Sequence, residues 1–127
     1  MNNLYDIELI RVIDGDTIIA NVQLGYNVLL THQNIRLHGI NAPEIYGTNK
    51  LIGLLSKQYL ANLLKGKTLK LEPFQRNYDK YGRILATIYY SINHTDLINC
   101  NEMMLNSNHA SRAIYVRGKY VTPVIML

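Results

Sequence analysis

Apolar, β-branched runs broken by polar turn signals fill the first forty residues in a way that predicts strands. Residues 5–12 and 17–24 are β-branched and apolar, and they flank Asp14-Gly15-Asp16. That pattern reads as strand, tight Asx/Gly turn, strand. Gly25-Tyr26-Asn27 is a second turn signal, and residues 28–37 read as a third strand. After Pro43 the period changes. Leu51, Leu54, Leu55, Leu60, Leu63 and Leu64 recur at helical spacing, with Lys50, Lys57, Gln58 and Asn62 opposite. An amphipathic helix is expected over 49–65, with Thr48 as N-cap and Gly66 just past its end. Residues 68–74 return to period two, and residues 83–92 are apolar and aromatic, giving two more strands. A weaker helix is expected over 96–106, with Asp96 as its N-cap. The order is β-β-β-α-β-β-α. Five strands with a helix between the third and fourth is the order of the OB-fold, a small closed barrel.

Composition narrows the class. With 127 residues and 48% hydrophobic content, the chain is expected to be one domain over residues 1–127. It buries roughly two-thirds of its unfolded surface. Charged residues at 17% and only 3 prolines argue against disorder. No apolar run approaches the ~18 residues of a membrane span, so no membrane partner is expected. Acids at Asp6 and Glu8 make the N-terminal stretch unlike a secretion signal. An intracellular protein is expected, with secretion by another route left open. The lone Cys100 excludes an internal disulfide and reads as a core residue. The net charge of +4 suits a polyanionic partner, although so modest a basicity is common.

Three constellations carry candidate chemistry. Asp14-Gly15-Asp16-Thr17 sets two carboxylates across a glycine, either as an Asx turn or as hard oxygen ligands for a divalent cation. Arg36 to Glu44 places an arginine on a strand, then Asn41 and Glu44 about a bend at Pro43. Pro43 biases Ala42 toward extended backbone, which exposes its carbonyl as a possible ligand. Structural readings stand beside these: Arg36 as an edge-strand residue and Glu44 as a first-turn helix acid. Asp79-Lys80-Tyr81-Gly82-Arg83 crowds basic and aromatic side chains into a turn. It is either an ordinary polar turn or a phosphate and base contact.

Taken together, in this order and on this frame, the motifs resemble the staphylococcal nuclease (thermonuclease) family, over about residues 5–113. The resemblance implies an OB-type barrel with helices and calcium-dependent hydrolysis of phosphodiester bonds in DNA and/or RNA. By position, Asp16 matches the principal metal carboxylate, Asn41 stands where a second metal Asp is usual, and the Ala42 carbonyl matches a backbone ligand. One Ca²⁺ is implied. Asp14 and Thr17 would support the metal ligands from behind. Glu44 matches the acid that orients or deprotonates the attacking water. Arg36 and Arg83 match the arginines that grip the scissile phosphate. Lys80 and Tyr81 match contacts to a neighbouring phosphate, and Tyr115 is the candidate base-stacking ring.

Three departures stand out. Asn41 removes one negative charge, which lowers metal affinity or opens the site to other divalent metals. The link 45–49 is short. Residues 117–127, with Pro123, hardly supply the family's third helix. Residues 120–127 are instead an apolar tail, expected to dock on this chain or to mediate self-association; the oligomeric state stays open. His38 reads as structural or partly exposed, and Tyr89 and Tyr90 fall on opposite faces of one strand. The rival reading is a catalytically weak nucleic-acid-binding module. A plain structural barrel leaves the arginines and Glu44 unexplained.

Overall fold

The computed structural model describes residues 3–123. Strands β1 (Tyr5–Asp14), β2 (Thr17–Gly25) and β3 (Val28–Leu37) form an antiparallel meander. Their inward positions alternate along the strands: Ile18, Ala20 and Val22 of β2, and Ile35 and Leu37 of β3, are buried. A short β4 (Ile40–Asn41) follows, and a 3₁₀ turn (Gly47–Asn49) leads into helix α1 (Lys50–Leu64). Strands β5 (Thr68–Pro73) and β6 (Ile84–Ser91) pair antiparallel. β6 then pairs parallel with β3, Ile35 facing Ile84, Arg36 facing Leu85 and Leu37 facing Ala86. That pairing closes β1, β2, β3, β5 and β6 into the expected five-stranded barrel. Beyond it lie β7 (Ile98–Asn99), helix α2 (Cys100–Asn106), and short strands β8 (Ser111–Arg112), β9 (Ile114–Val116) and β10 (Lys119–Val121). β4 pairs with β8, and β9 with β10.

The core runs from the barrel interior to both helices. Ile18, Leu37, Ile40, Leu60, Leu64, Ile88, Cys100 and Met104 are all fully buried. Cys100 is therefore a core residue as expected, and burial pushes its thiol up to about 12. Buried Asn101 ties α2 to the barrel seam. Its amide donates to the carbonyls of His38 (2.8 Å) and Ala86 (3.1 Å), and its oxygen accepts from the Ile88 amide (3.1 Å). Among the described residues no buried side-chain polar atom lacks a partner, as a well-packed interior requires.

Three expectations need correction. The N-cap of α2 is Asn99, whose side chain accepts from the Glu102 amide at 3.0 Å. Asp96 lies in the preceding turn, where Asn93 accepts from its amide. Thr48 does not cap α1; it sits inside the 3₁₀ turn, whose own cap is Tyr46 with no side-chain bond.

The buried stripe of α1 is Gly53, Ser56, Leu60 and Leu64. Leu51 and Leu55 are 71% and 55% exposed. The cause is close approach. A Cβ on Gly53 would stand 2.1 Å from the Glu44 carbonyl oxygen, and Ser56 Oγ donates to the His109 carbonyl at 2.8 Å. Small residues make the contact, and the leucines beside them turn outward.

The described part of the tail from residue 120 docks on this chain as expected, beginning as the return strand of the β9–β10 hairpin. Arg117 and Gly118 both have positive φ at its turn, as a tight hairpin requires. Residues 124–127 of that predicted tail lie outside the described residues. No third α-helix occurs among the described residues, and no helix among them is long and apolar enough to cross a membrane.

Candidate active site

The turn between β1 and β2 sets the first acids. Gly15 is required there: a Cβ would lie 2.6 Å from Ala42 Cβ and 2.9 Å from Ser56 Cβ. That proximity lets Asp16 reach across the seam. Its Oδ2 accepts from the Ala42 amide at 2.8 Å and its Oδ1 from the Thr17 hydroxyl at 2.9 Å, while its carbonyl accepts from the Leu37 amide at 2.8 Å. Asp14 Oδ1 accepts from the Asp16 amide at 3.1 Å. Burial pushes the Asp14 carboxyl up to about 7, and its side-chain contact with Asp16 and the charge there push the same way.

Arg36 stands at the centre and is only 5% exposed. Its Nη1 donates to the carbonyls of Leu37 (2.8 Å) and Ile40 (2.7 Å). Its Nη2 donates to Asn41 Oδ1 and pairs with Asp16 Oδ2 at 3.4 Å. The Tyr120 ring covers it, 4.3 Å from Cζ to the centroid. Rather than projecting freely from the wall, the guanidinium curls onto the β3–β4 turn and fastens it. Burial holds its pKa below the usual value; the Asp16 charge opposes that, and the Arg83 charge adds to it.

Arg83 sits just before β6, whose parallel pairing with β3 brings the two arginines to one end of the barrel. Asp79 organises its turn. Oδ1 accepts from the amides of Tyr81 (2.9 Å) and Arg83 (2.8 Å), and Oδ2 accepts from Arg83 Nε at 2.7 Å. Burial alone would raise the Asp79 carboxyl, but these bonds outweigh it and hold it below the usual range. Exposed Tyr81 lies under two cations, with Lys80 Nζ at 5.3 Å and Arg83 Cζ at 5.0 Å from its centroid.

An aromatic wall completes the site. His38 stacks on Phe74 at 3.7 Å, and its Nδ1 lies 2.7 Å from the Tyr120 hydroxyl. Burial, then the Arg36 charge, lowers the His38 pKa, and burial raises that of Tyr120, so both are neutral near pH 7. Tyr115 joins the wall 4.9 Å from Tyr120 and 6.0 Å from Phe74.

The structure therefore brings together Asp14, Asp16, Thr17, Arg36, Asn41 and Ala42 through direct contacts. It gathers Arg83, Lys80 and Tyr81 in an adjoining turn, and Tyr115 in the wall. Glu44 is exposed, and among the described residues no side-chain hydrogen bond or ion pair engages it. Its backbone is fixed by the contact with Gly53. Sequence reasoning missed the roles of Tyr120, Phe74, Gly53 and Asp79. The glycines carry a signal, since each interrupts a strong local pattern; the contact of Tyr120 with Arg36 spans most of the chain and leaves no local trace.

The donors suited to a metal are hard oxygens, one carboxylate at Asp16 and one amide at Asn41. Among the described residues no three His, Cys, Asp or Glu side chains converge as a metal cage. This set fits a hard, oxygen-preferring cation completed mostly by water, and offers nothing to a metal that wants thiolate or imidazole.

The chain is similar to known proteins over most of its length. The profile of the family described as staphylococcal nuclease homologue matches residues 34–122, from just before Arg36 to just past Tyr120. A micrococcal nuclease of Shigella flexneri is 32% identical over 109 residues, covering 81% of this chain and 55% of that protein. A thermonuclease of Staphylococcus hyicus is 32% identical over 85 residues, covering 65% of this chain and 47% of that protein. The chain thus spans about half the length of the curated relatives it matches. On the profile match across the barrel seam and the aromatic wall, the chain belongs to the staphylococcal nuclease family.

Proposed function

We propose that this chain hydrolyses phosphodiester bonds of DNA or RNA with the help of a divalent cation, Ca²⁺ by resemblance. One observation carries the reading: the β3–β6 pairing sets Arg36 and Arg83 at one barrel end beside Asp16. A phosphodiester is an anion that gains charge as water attacks, and two guanidinium groups stabilise its equatorial oxygens. Arg83 bonds Asp79 through Nε, and among the described residues its outer nitrogens make no hydrogen bond, so they can receive phosphate without breaking the turn. Arg36 must first exchange partners. Asp16 and Asn41 both face its Nη2. Asp16 and Asn41 would hold the cation, and with their oxygens so engaged Nη2 would keep donors for a phosphate oxygen, while Nη1 anchors the β3–β4 turn. A cation bound there would supply positive charge to the same developing anion. Glu44, open to solvent, takes the proton of the attacking water or orients it. Lys80 and Tyr81 contact a neighbouring phosphate, and Tyr115 offers a ring to a base.

The second reading is a nucleic-acid-binding module with weak or no catalysis. Asn41 in place of a carboxylate favours it. Turnover of single-stranded DNA by Glu44→Gln and Arg83→Ala separates the two. Losses of a hundredfold or more in folded variants support catalytic roles for both residues. Near-parental turnover in both contradicts those roles.

A further inference from the structure

We propose that the cleft at the open end of the barrel, beside the loop 74–78, binds a base and phosphate of single-stranded nucleic acid running on from the catalytic arginines. This rests on the nucleic-acid reading above and extends it to a second contact region. The cleft holds about 610 Å³, within the range of small-ligand sites. Its floor is apolar, formed by Val22, Leu30, Leu71 and Ile84. Its rim carries Tyr5, Phe74 and Tyr78 rings, the Gln75 and Asn77 amides, and Arg76. Arg76 is the one charged side chain among the described lining residues, and no acid lines the cleft. Rings that stack on any base, amides that meet base edges and one cation for phosphate are the parts of a strand-binding surface.

Two links make this cleft continuous with the catalytic end. The first is aromatic. Phe74 lines the cleft and also stacks on His38, which meets Tyr120 above Arg36. No step along that path exceeds 5.5 Å, whether between ring centres or from the Tyr120 ring centre to Arg36 Cζ. A strand covers it in about two to four nucleotides. The second is the loop itself. Its far end is held by Asp79, the same residue that positions Arg83, and Tyr78 donates its hydroxyl to Gln33 on β3. Tyr78, pinned to β3, thus directly adjoins the turn that Asp79 braces around Arg83.

The test is fluorescence anisotropy in chelator, where no cleavage is expected. A labelled single-stranded eight-nucleotide DNA is compared with a labelled dinucleotide. Parent, Arg76→Gln, Tyr78→Ala and the control Lys65→Gln, outside the cleft, are each confirmed as folded by circular dichroism. The parent should bind the longer strand at least tenfold more tightly. Arg76→Gln and Tyr78→Ala should each lose fivefold or more of that affinity with dinucleotide binding unchanged, and Lys65→Gln should lose less than twofold. Cleft variants that lose no more than Lys65→Gln, or a parent with no preference for length, overturn the proposal. So does a parent that sediments as a dimer which Tyr78→Ala dissociates, since a second copy then fills the cleft. Hydrolysis of the same eight-mer with Ca²⁺ is measured in parallel. Binding through the cleft without hydrolysis contradicts the nuclease reading alone, and hydrolysis untouched by both cleft variants contradicts the cleft alone.

Discussion

The ring of Tyr120 lies over the guanidinium of Arg36, 4.3 Å from Cζ to centroid, while its hydroxyl meets His38 Nδ1 at 2.7 Å. The β9–β10 hairpin is thereby fastened to the barrel seam at Arg36. Tyr120→Ala removes a ring stacked on a desolvated cation and should lower unfolding free energy by about 2 kcal/mol. Tyr120→Phe loses only the hydrogen bond and should lose about 1 kcal/mol. Urea unfolding of both variants checks this. Equal stability of Tyr120→Ala and parent would mean that the hairpin does not rest on Arg36.

Gly53→Ala tests how Glu44 is held. The added Cβ would stand 2.1 Å from the Glu44 carbonyl oxygen, so either the helix or the Glu44 segment must shift. The expected cost is about 1–3 kcal/mol, with loss of turnover beyond what stability explains. Leu55→Ala, on the exposed face of the same helix, should stay within about 0.5 kcal/mol of the parent. If the two alanines behave alike, the contact does not position Glu44.

Much of the barrel was legible because β1, β2 and β6 are runs of β-branched, apolar or aromatic residues, β5 alternates with period two, and Gly, Asp and Asn turn signals separate the strands; those signals are local. Family motifs marked Asp16, Arg36, Asn41 and Arg83 for the same reason, since each lies in or beside a short turn. The α1 stripe was misread because periodicity favours leucine for the buried face. In α1 the closest contact belongs to Gly53 and Ser56, chosen by the backbone that passes over them. The β9–β10 hairpin was missed because three-residue strands carry almost no pattern. Its partners, Arg36 and His38, are about eighty residues away. Asp79 was seen as part of a motif, but its role as the brace of Arg83 depends on the fold of its own turn.

Asp79 also gives a pH dependence with a definite sign. Its folded carboxyl titrates below the ordinary value of 3.8, because the Arg83 and Tyr81 bonds outweigh burial. A depressed acid contributes stability above its unfolded pKa, and the contribution disappears as pH falls through the folded value. Asp79→Asn should therefore be less stable than parent by about 1–3 kcal/mol at pH 7. The gap should close progressively below about pH 4. Denaturant unfolding at pH 7, 4 and 3 measures it, and a gap that stays constant over that range would refute the assignment.

Asn41→Asp restores a carboxylate beside Asp16. An ionised ligand attracts a cation more strongly than an amide dipole, so Ca²⁺ should raise the melting temperature of the variant more than that of the parent. In the metal-free protein the added acid sits close to Asp14 and Asp16 and gives up the Asn41 amide bond to Thr122 Oγ1. Titration calorimetry with Ca²⁺ is the direct reading. Equal or weaker affinity in the variant would place Asn41 outside the metal site.

The central claim is hydrolysis, and the most direct measurement is the fate of labelled single-stranded DNA and RNA incubated with the parent protein. Each substrate is followed with millimolar-scale Ca²⁺, with Ca²⁺ plus excess chelator, and with Glu44→Gln protein in Ca²⁺. The account predicts progressive shortening by the parent in Ca²⁺, none in chelator, and a rate at least a hundredfold lower for Glu44→Gln. Full-length substrate after prolonged incubation of folded parent with Ca²⁺, alongside measurable binding, would contradict it and leave a binding module in its place.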